Sequence, residues 1–222
     1  MSYTRFAVYW MPEGALAEFG ARWLGWDALS GQPADQFAVP GLDDATMTPR
    51  KYGFHGTLKP PFRLADGVTQ ADVQAGVAKM AASLAPAAAE GLSLTPLGRF
   101  LALTPDGDNS GIARVAATCV KALDAFRAPL SDADLERRRK AGLSEAQEAL
   151  LLRWGYPYVM EQFRFHLTLT GKLHKRDLPL WADHVAAHLP DLPRPFVLDQ
   201  VALVGERPDG RFELIHRYAL TG

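Results

Sequence analysis

Two segments of the 222-residue chain share one pattern: Phe54-His-Gly-Thr-Leu58 and Phe165-His-Leu-Thr-Leu169 both read Phe-His-x-Thr-Leu. Side chains of a strand alternate between faces, so His55, Thr57 and Lys59 are expected to share one face, with Phe54 and Leu58 on the other. The same parity groups Arg164, His166, Thr168 and Thr170 against Phe165, Leu167 and Leu169. Chemistry on a phosphate ester needs a base, an acid and donors for the phosphoryl oxygens. Two histidines and two threonines supply that set. Imidazole titrates near neutrality, and two neighbouring rings split their apparent pKa values, so one can be neutral while the other is charged. Such a pair requires no metal, and neither motif contains a carboxylate or thiolate to hold one.

A single His-x-Thr on a strand is usually an ordinary sheet residue. Two matched copies about half a chain apart are harder to ascribe to chance, because unrelated strands have no reason to share them. Around the pair, Lys59 and Arg164 fall on the same parity and could hold a second phosphate or transition-state charge. Thr170 follows on that face. Tyr52 has the opposite parity and lies at a strand edge, where core packing and ligand contact both remain open.

The elements that must position these residues can be read from periodicity and punctuation. Thr4–Trp10 reads as a strand, followed by a helix opened by Pro12 and spaced through Leu16, Phe19 and Trp23. Residues 31–51 read as an irregular connection to a strand at Phe54–Lys59, which Pro60 and Pro61 should end. Thr69 and Asp72 open a second helix. A hairpin is expected around Pro105-Asp-Gly-Asp-Asn109, between Leu97–Leu103 and Ile112–Val115, with a helix over Ala116–Phe126. Residues 131–155 read as a helical insertion, its second half opened by Ser144 and Gln147. A strand at Phe163–Gly171, a helix at Leu180–Leu189 and a closing hairpin of Phe196–Val204 with Arg211–Leu220 complete the chain. Strand, helix and hairpin recur around each histidine, which predicts one α+β domain over residues 1–222, with two lobes of mainly antiparallel sheet.

Composition excludes several classes. The net charge of -1 gives no global field for a polyanion, and 48% hydrophobic residues with 22% charged is the balance of a folded globular chain. Cys119 is the only cysteine and cannot form an internal disulfide. Met1–Trp10 lacks the apolar run of a signal peptide, and no stretch approaches a membrane span, so a cytoplasmic location without membrane association is expected. Asp106–Gly111 begins like a calcium loop but would carry Ala117 where a bidentate Glu belongs. His184 and His188 lie one helical turn apart, yet no third ligand accompanies them. Glu136–Lys140 reads as a solvated charged face.

The segments Lys51-Tyr-Gly-Phe-His-Gly-Thr-Leu-Lys-Pro-Pro-Phe62 and Phe163-Arg-Phe-His-Leu-Thr-Leu-Thr-Gly171 resemble the 2H phosphoesterases, named for two His-x-Thr/Ser motifs, and within them a bacterial subfamily encoded beside phosphonate-degradation genes. The resemblance covers the whole chain. It implies two pseudo-symmetric lobes with outer helices, the motifs meeting at a central groove. It implies His55 and His166 as acid and base in unassigned order, Thr57 and Thr168 as phosphate-oxygen donors, and no cofactor. It also implies a small cyclic phosphate of a sugar or nucleotide as substrate, with phosphoribosyl 1,2-cyclic phosphate suggested by the subfamily's gene company. Rival readings are an RNA 2′,3′-cyclic phosphodiesterase or 2′-5′ RNA ligase, with RNA held near Arg137, and a non-catalytic phosphate or nucleotide binder. The near-neutral charge favours a small substrate over RNA. Reaction direction and oligomeric state are left open.

Overall fold

The first strand, β1 (Phe6–Trp10), is buried along its whole length, and the computed structural model, which describes residues 3–222, places it inside a large sheet. Met1 and Ser2, the start of the segment read as lacking a signal peptide, lie outside the described residues. After β1 come α1 (Gly14–Leu24), the short pair β2 (Trp26–Asp27) and β3 (Gln32–Pro33), α2 (Leu42–Arg50) and β4 (Gly56–Phe62). Then follow α3 (Gln70–Ala82), β5 (Ala87–Ala89), β6 (Gly91–Leu97), β7 (Phe100–Asp106) and α4 (Ser110–Ala122). The remainder holds α5 (Asp132–Arg139), α6 (Glu145–Trp154), β8 (Leu167–Thr168), α7 (Leu178–Ala186), β9 (Phe196–Leu198), β10 (Gln200–Glu206) and β11 (Phe212–Ala219).

Seven strands form one sheet in the order β11-β10-β1-β4-β8-β7-β6, and every neighbouring pair is antiparallel. The protein is therefore α+β with an antiparallel sheet, as the alternation of hairpins and helices predicts. Its two lobes are the two halves of this sheet, one ending in β4 and the other in β8. They are joined through a single registered pair, Gly56 opposite Leu167.

Helices cover one face. The spacing of Leu16, Phe19 and Trp23 puts all three on the buried side of α1. They join Phe6, Val8, Leu58, Leu167, Leu169 and Leu203 in the main core. Trp23 also ties the halves together, its Nε1–H donating to the Leu169 carbonyl at 2.9 Å. The capping box of Thr69 and Asp72 opens α3, and that of Ser144 and Gln147 opens α6. On the opposite sheet face, Ala7, Tyr9, Ala202, Val204 and Phe212 form a smaller cluster with Trp26 and Ala28.

Several boundaries differ from the sequence reading. The strand expected to end before Pro60 runs through Pro60 and Pro61 to Phe62. Two register shifts against β1 accommodate it, and β8 is too short to pair with β4 beyond Gly56, so the prolines break no ladder on that side. The hairpin lies at Leu97–Phe100, where Gly98 takes φ 64°. Asp108 instead lies just before Asn109, the N-cap of α4, its carboxylate accepting from the Ser110 N–H at 2.9 Å. The irregular connection contains α2, and only Leu167–Thr168 of the second motif segment is laddered.

Candidate active site

Register brings the two motifs together. With Gly56 opposite Leu167 in an antiparallel pair, the neighbours on the other face are His55 opposite Thr168 and Thr57 opposite His166. Gly56 and Leu167 are buried while those four side chains are half-buried. Each histidine is thus flanked by the other motif's threonine across the strands, at roughly 5 Å between Cβ atoms, and the histidines lie on the diagonal at roughly 7 Å. That spacing leaves room for a phosphoryl group between the rings.

Both imidazoles are held in the same way. His55 Nδ1 is 2.9 Å from the Gly53 carbonyl, and His166 Nδ1 is 2.8 Å from the Arg164 carbonyl, in each case two residues back along the chain. A carbonyl only accepts, so Nδ1 carries the hydrogen in both rings and Nε2 is the atom left for chemistry. Burial pushes the His55 pKa down to about 4 against the opposing pull of the Gly53 carbonyl, and the nearby His166 lowers it further. His55 is therefore neutral at pH 7. Its Nε2 then accepts from the Thr57 hydroxyl at 2.9 Å.

One face of the His55 ring is covered by Tyr9, which sits across from Thr57 on β1 and stacks on it. Tyr9 is itself buried, which holds its phenol well above the usual range and keeps it neutral. Two cavities open on either side of the His/Thr set. One, of about 590 Å³, is lined by Thr57 and His166 together with Tyr156, Tyr158, Gln147 and Gln162. The other, of about 270 Å³, is lined by His55 and Thr168 together with Tyr52, Thr170 and Lys172. Phe100 lies in the wall of both, its ring 5.8 Å from that of His166.

The surrounding residues singled out from the sequence divide. Arg164 is exposed and lines the larger cavity, so it joins the histidines. Tyr52 lines the smaller one while its ring stacks on Phe212 at 5.3 Å. Thr170 is buried, and its hydroxyl accepts from the Leu101 N–H at 3.0 Å. Lys59 does not share the histidine face. Tyr9 pairs with Thr57 but Val8 pairs with Lys59, so Leu58 is an extra residue that resets the parity. Lys59 instead reaches the Val120 carbonyl at 3.2 Å. His188, set aside as a metal ligand, points Nδ1 at the His184 carbonyl and packs against Phe37.

The sequence reading missed Tyr9, Phe100, Tyr156 and Tyr158. Tyr156 and Tyr158 follow α6 in the Gly-Tyr-Pro-Tyr stretch, whose aromatic repeat within a polar insertion was the available signal. Tyr9 and Phe100 carry no local signal, because their place depends on which strands adjoin the motifs. Among the described residues, no three His, Cys, Asp or Glu side chains are grouped as a metal site would need. No helix among them is long and apolar enough to cross a membrane.

The chain is 40% identical over 183 residues to a protein of Janthinobacterium sp. (strain Marseille) named ribose 1,5-bisphosphate phosphokinase PhnN, a match covering 79% of this chain and 40% of that one. A protein of the same name from Laribacter hongkongensis (strain HLHK9) is 39% identical over 193 residues, covering 83% of this chain and 44% of its own length. The chain spans less than half the length of these curated relatives. Among solved structures it is similar to TT0787 of Thermus thermophilus (16% identity, 98% of each chain, TM-score 0.46). It is also similar to E. coli LigT complexed with 3′-AMP (14% identity, 100% of each chain, TM-score 0.44). The family model described as protein of unknown function (DUF1045) matches residues 57–213, most of the described fold and the second motif in full, and the chain belongs to that family.

Proposed function

We propose that the chain is a phosphoesterase of the two-histidine kind that opens a small cyclic phosphate ester without a metal. The observation that carries this reading is the cross-strand set of His55, Thr168, Thr57 and His166, with both Nδ1 atoms committed to the backbone. His55, kept neutral by burial, takes the proton of an attacking water at Nε2. As the water oxygen bonds to phosphorus, the ring ester bond breaks and His166 Nε2–H protonates the departing oxygen. Thr57 and Thr168 donate to the phosphoryl oxygens, Thr57 turning from His55 as the ester enters. Proton exchange with solvent then restores both rings.

A ribose-derived cyclic phosphate, such as phosphoribosyl 1,2-cyclic phosphate, fits this reading, since the matched relatives carry the name of a ribose 1,5-bisphosphate kinase. The test is turnover, with chelator present, of that ester, nucleoside 2′,3′-cyclic phosphates and cyclic-ended RNA by the wild type, His55→Ala and His166→Ala. Chelator-resistant turnover that drops about 10² to 10⁴-fold in each variant is expected. Full activity in either folded variant would end the proposal.

A further inference from the structure

Beside the histidine groove lies a third, narrower cavity of about 40 Å³, room for a few waters or one tetrahedral anion. Six cationic side chains line it, Arg5, Lys59, Arg63, Arg127, Arg137 and Arg138, against one carboxylate, Asp134. That carboxylate is already shared by Arg63 at 3.0 Å and Arg137 at 2.5 Å. Glu206 holds Arg5 and Asp124 holds Arg127. Six cations thus face three carboxylates, an excess of three positive charges, and Lys59 and Arg138 form no ion pair among the described residues.

Two of the cations have donors to spare, Lys59 buried and Arg138 half-buried. Lys59 is 1% exposed, yet its ammonium makes one hydrogen bond of the three it can donate. Arg138 stacks on Tyr156 with its Nε buried and without a partner among the described residues. Burying cations in this way is costly unless an anion completes them. The cavity also adjoins the catalytic groove, for Pro60 lines both and Tyr156, under Arg138, lines the groove. Pro60 follows Thr57 by three strand residues, roughly 10 Å, the scale of a small sugar bearing phosphates at both ends.

We propose that this cavity binds a phosphate monoester, the second phosphate of a substrate whose cyclic phosphate lies between His55 and His166. Its dianionic charge and tetrahedral oxygens match cations that converge from β4, α5 and the segment after α4. The assignment to substrate rests on the phosphoesterase reading; binding of the anion does not.

The experiment has two arms. Calorimetric titration of inorganic phosphate compares the wild type with Lys59→Met, with Arg63→Gln/Arg138→Gln, and with His55→Ala/His166→Ala. Binding that persists in the histidine variant and weakens at least about tenfold in both cavity variants is expected. Binding unaffected by the cavity changes, or lost only with the histidines, would overturn the site. The second arm measures kcat/KM for ribose cyclic phosphates with and without a 5-phosphate. A wild-type preference for the phosphorylated ester that collapses in the cavity variants supports the substrate as source. A preference that does not move, with phosphate binding lost, would overturn that source in favour of a free anion. Absence of all turnover with cavity-dependent phosphate binding would defeat the phosphoesterase reading while upholding the anion site.

Discussion

The ring of Tyr9 lies flat on the imidazole of His55, with centroids 3.6 Å apart and planes 19° from parallel. This contact withholds water from one face of the ring and so helps keep His55 neutral. Protonation disables a base, so kcat/KM should hold as pH falls and decline only as it passes about 4. Tyr9→Leu admits water, raises the His55 pKa towards 6.5 and moves the acid limb to higher pH. It should also cost about 2 kcal/mol of stability for the lost packing. A pH profile of kcat/KM for the two proteins decides, and an unmoved limb would refute the desolvation account.

Gly56 owes its identity to Phe165. A Cβ at position 56 would meet the Phe165 ring at 2.3 Å, and that ring belongs to the second motif and packs among Trp10 and Phe196. Gly56→Ala should destabilise by about 1–3 kcal/mol through overpacking and lower kcat by displacing the motif strands. Adding Phe165→Leu should restore part of both losses. Thermal melts and single-turnover rates of the three variants test this, and absence of any recovery would show that Gly56 acts some other way.

Lys59 carries a pH signature. Burial lowers its pKa from 10.5 to about 8, so between those values the unfolded chain binds the proton that the folded one releases. Wild-type stability attributable to this group therefore rises with pH from about 8 to 10.5. Below that window the buried charge costs roughly 3 kcal/mol. Lys59→Met should raise Tm at pH 7 and flatten the alkaline rise. Denaturation of the two proteins across this pH range is the check, and parallel curves would contradict the account.

Tyr158 lines the larger cavity and is 44% exposed, so little of the fold depends on it. Tyr158→Ala should raise KM about tenfold, near 1.4 kcal/mol, with kcat and Tm almost unchanged. Steady-state kinetics beside a thermal melt separates these. A fall in kcat at constant KM would place Tyr158 at the reacting atoms instead.

Parity alone placed His55 with Thr57 and His166 with Thr168, because the pleat between them is regular and alternation is a local property. Lys59 escaped it, since the extra residue at Leu58 exists only in the pairing with β1. The same non-locality hid the strand through Pro60 and Pro61, which depends on how short β8 is. Asp-Gly-Asp-Asn reads as a hairpin turn but leads into α4, because an Asp that accepts from the N–H two residues on, as Asp108 does, precedes a helix as readily as it fills a turn. The walls made by Tyr9 and Phe100 are set by strand order, which no single segment encodes.

The pairing of Gly56 with Leu167 joins residues about 110 positions apart. Closing so long a loop has an entropic cost that only later contacts repay. Neither half of the chain contains a working fraction of the site, so activity regained during refolding is a clock for completion of the whole sheet. A fragment ending before residue 166 should form helices and hairpins yet show no turnover at any concentration, and mixing it with the complementary fragment is the condition under which chemistry could return.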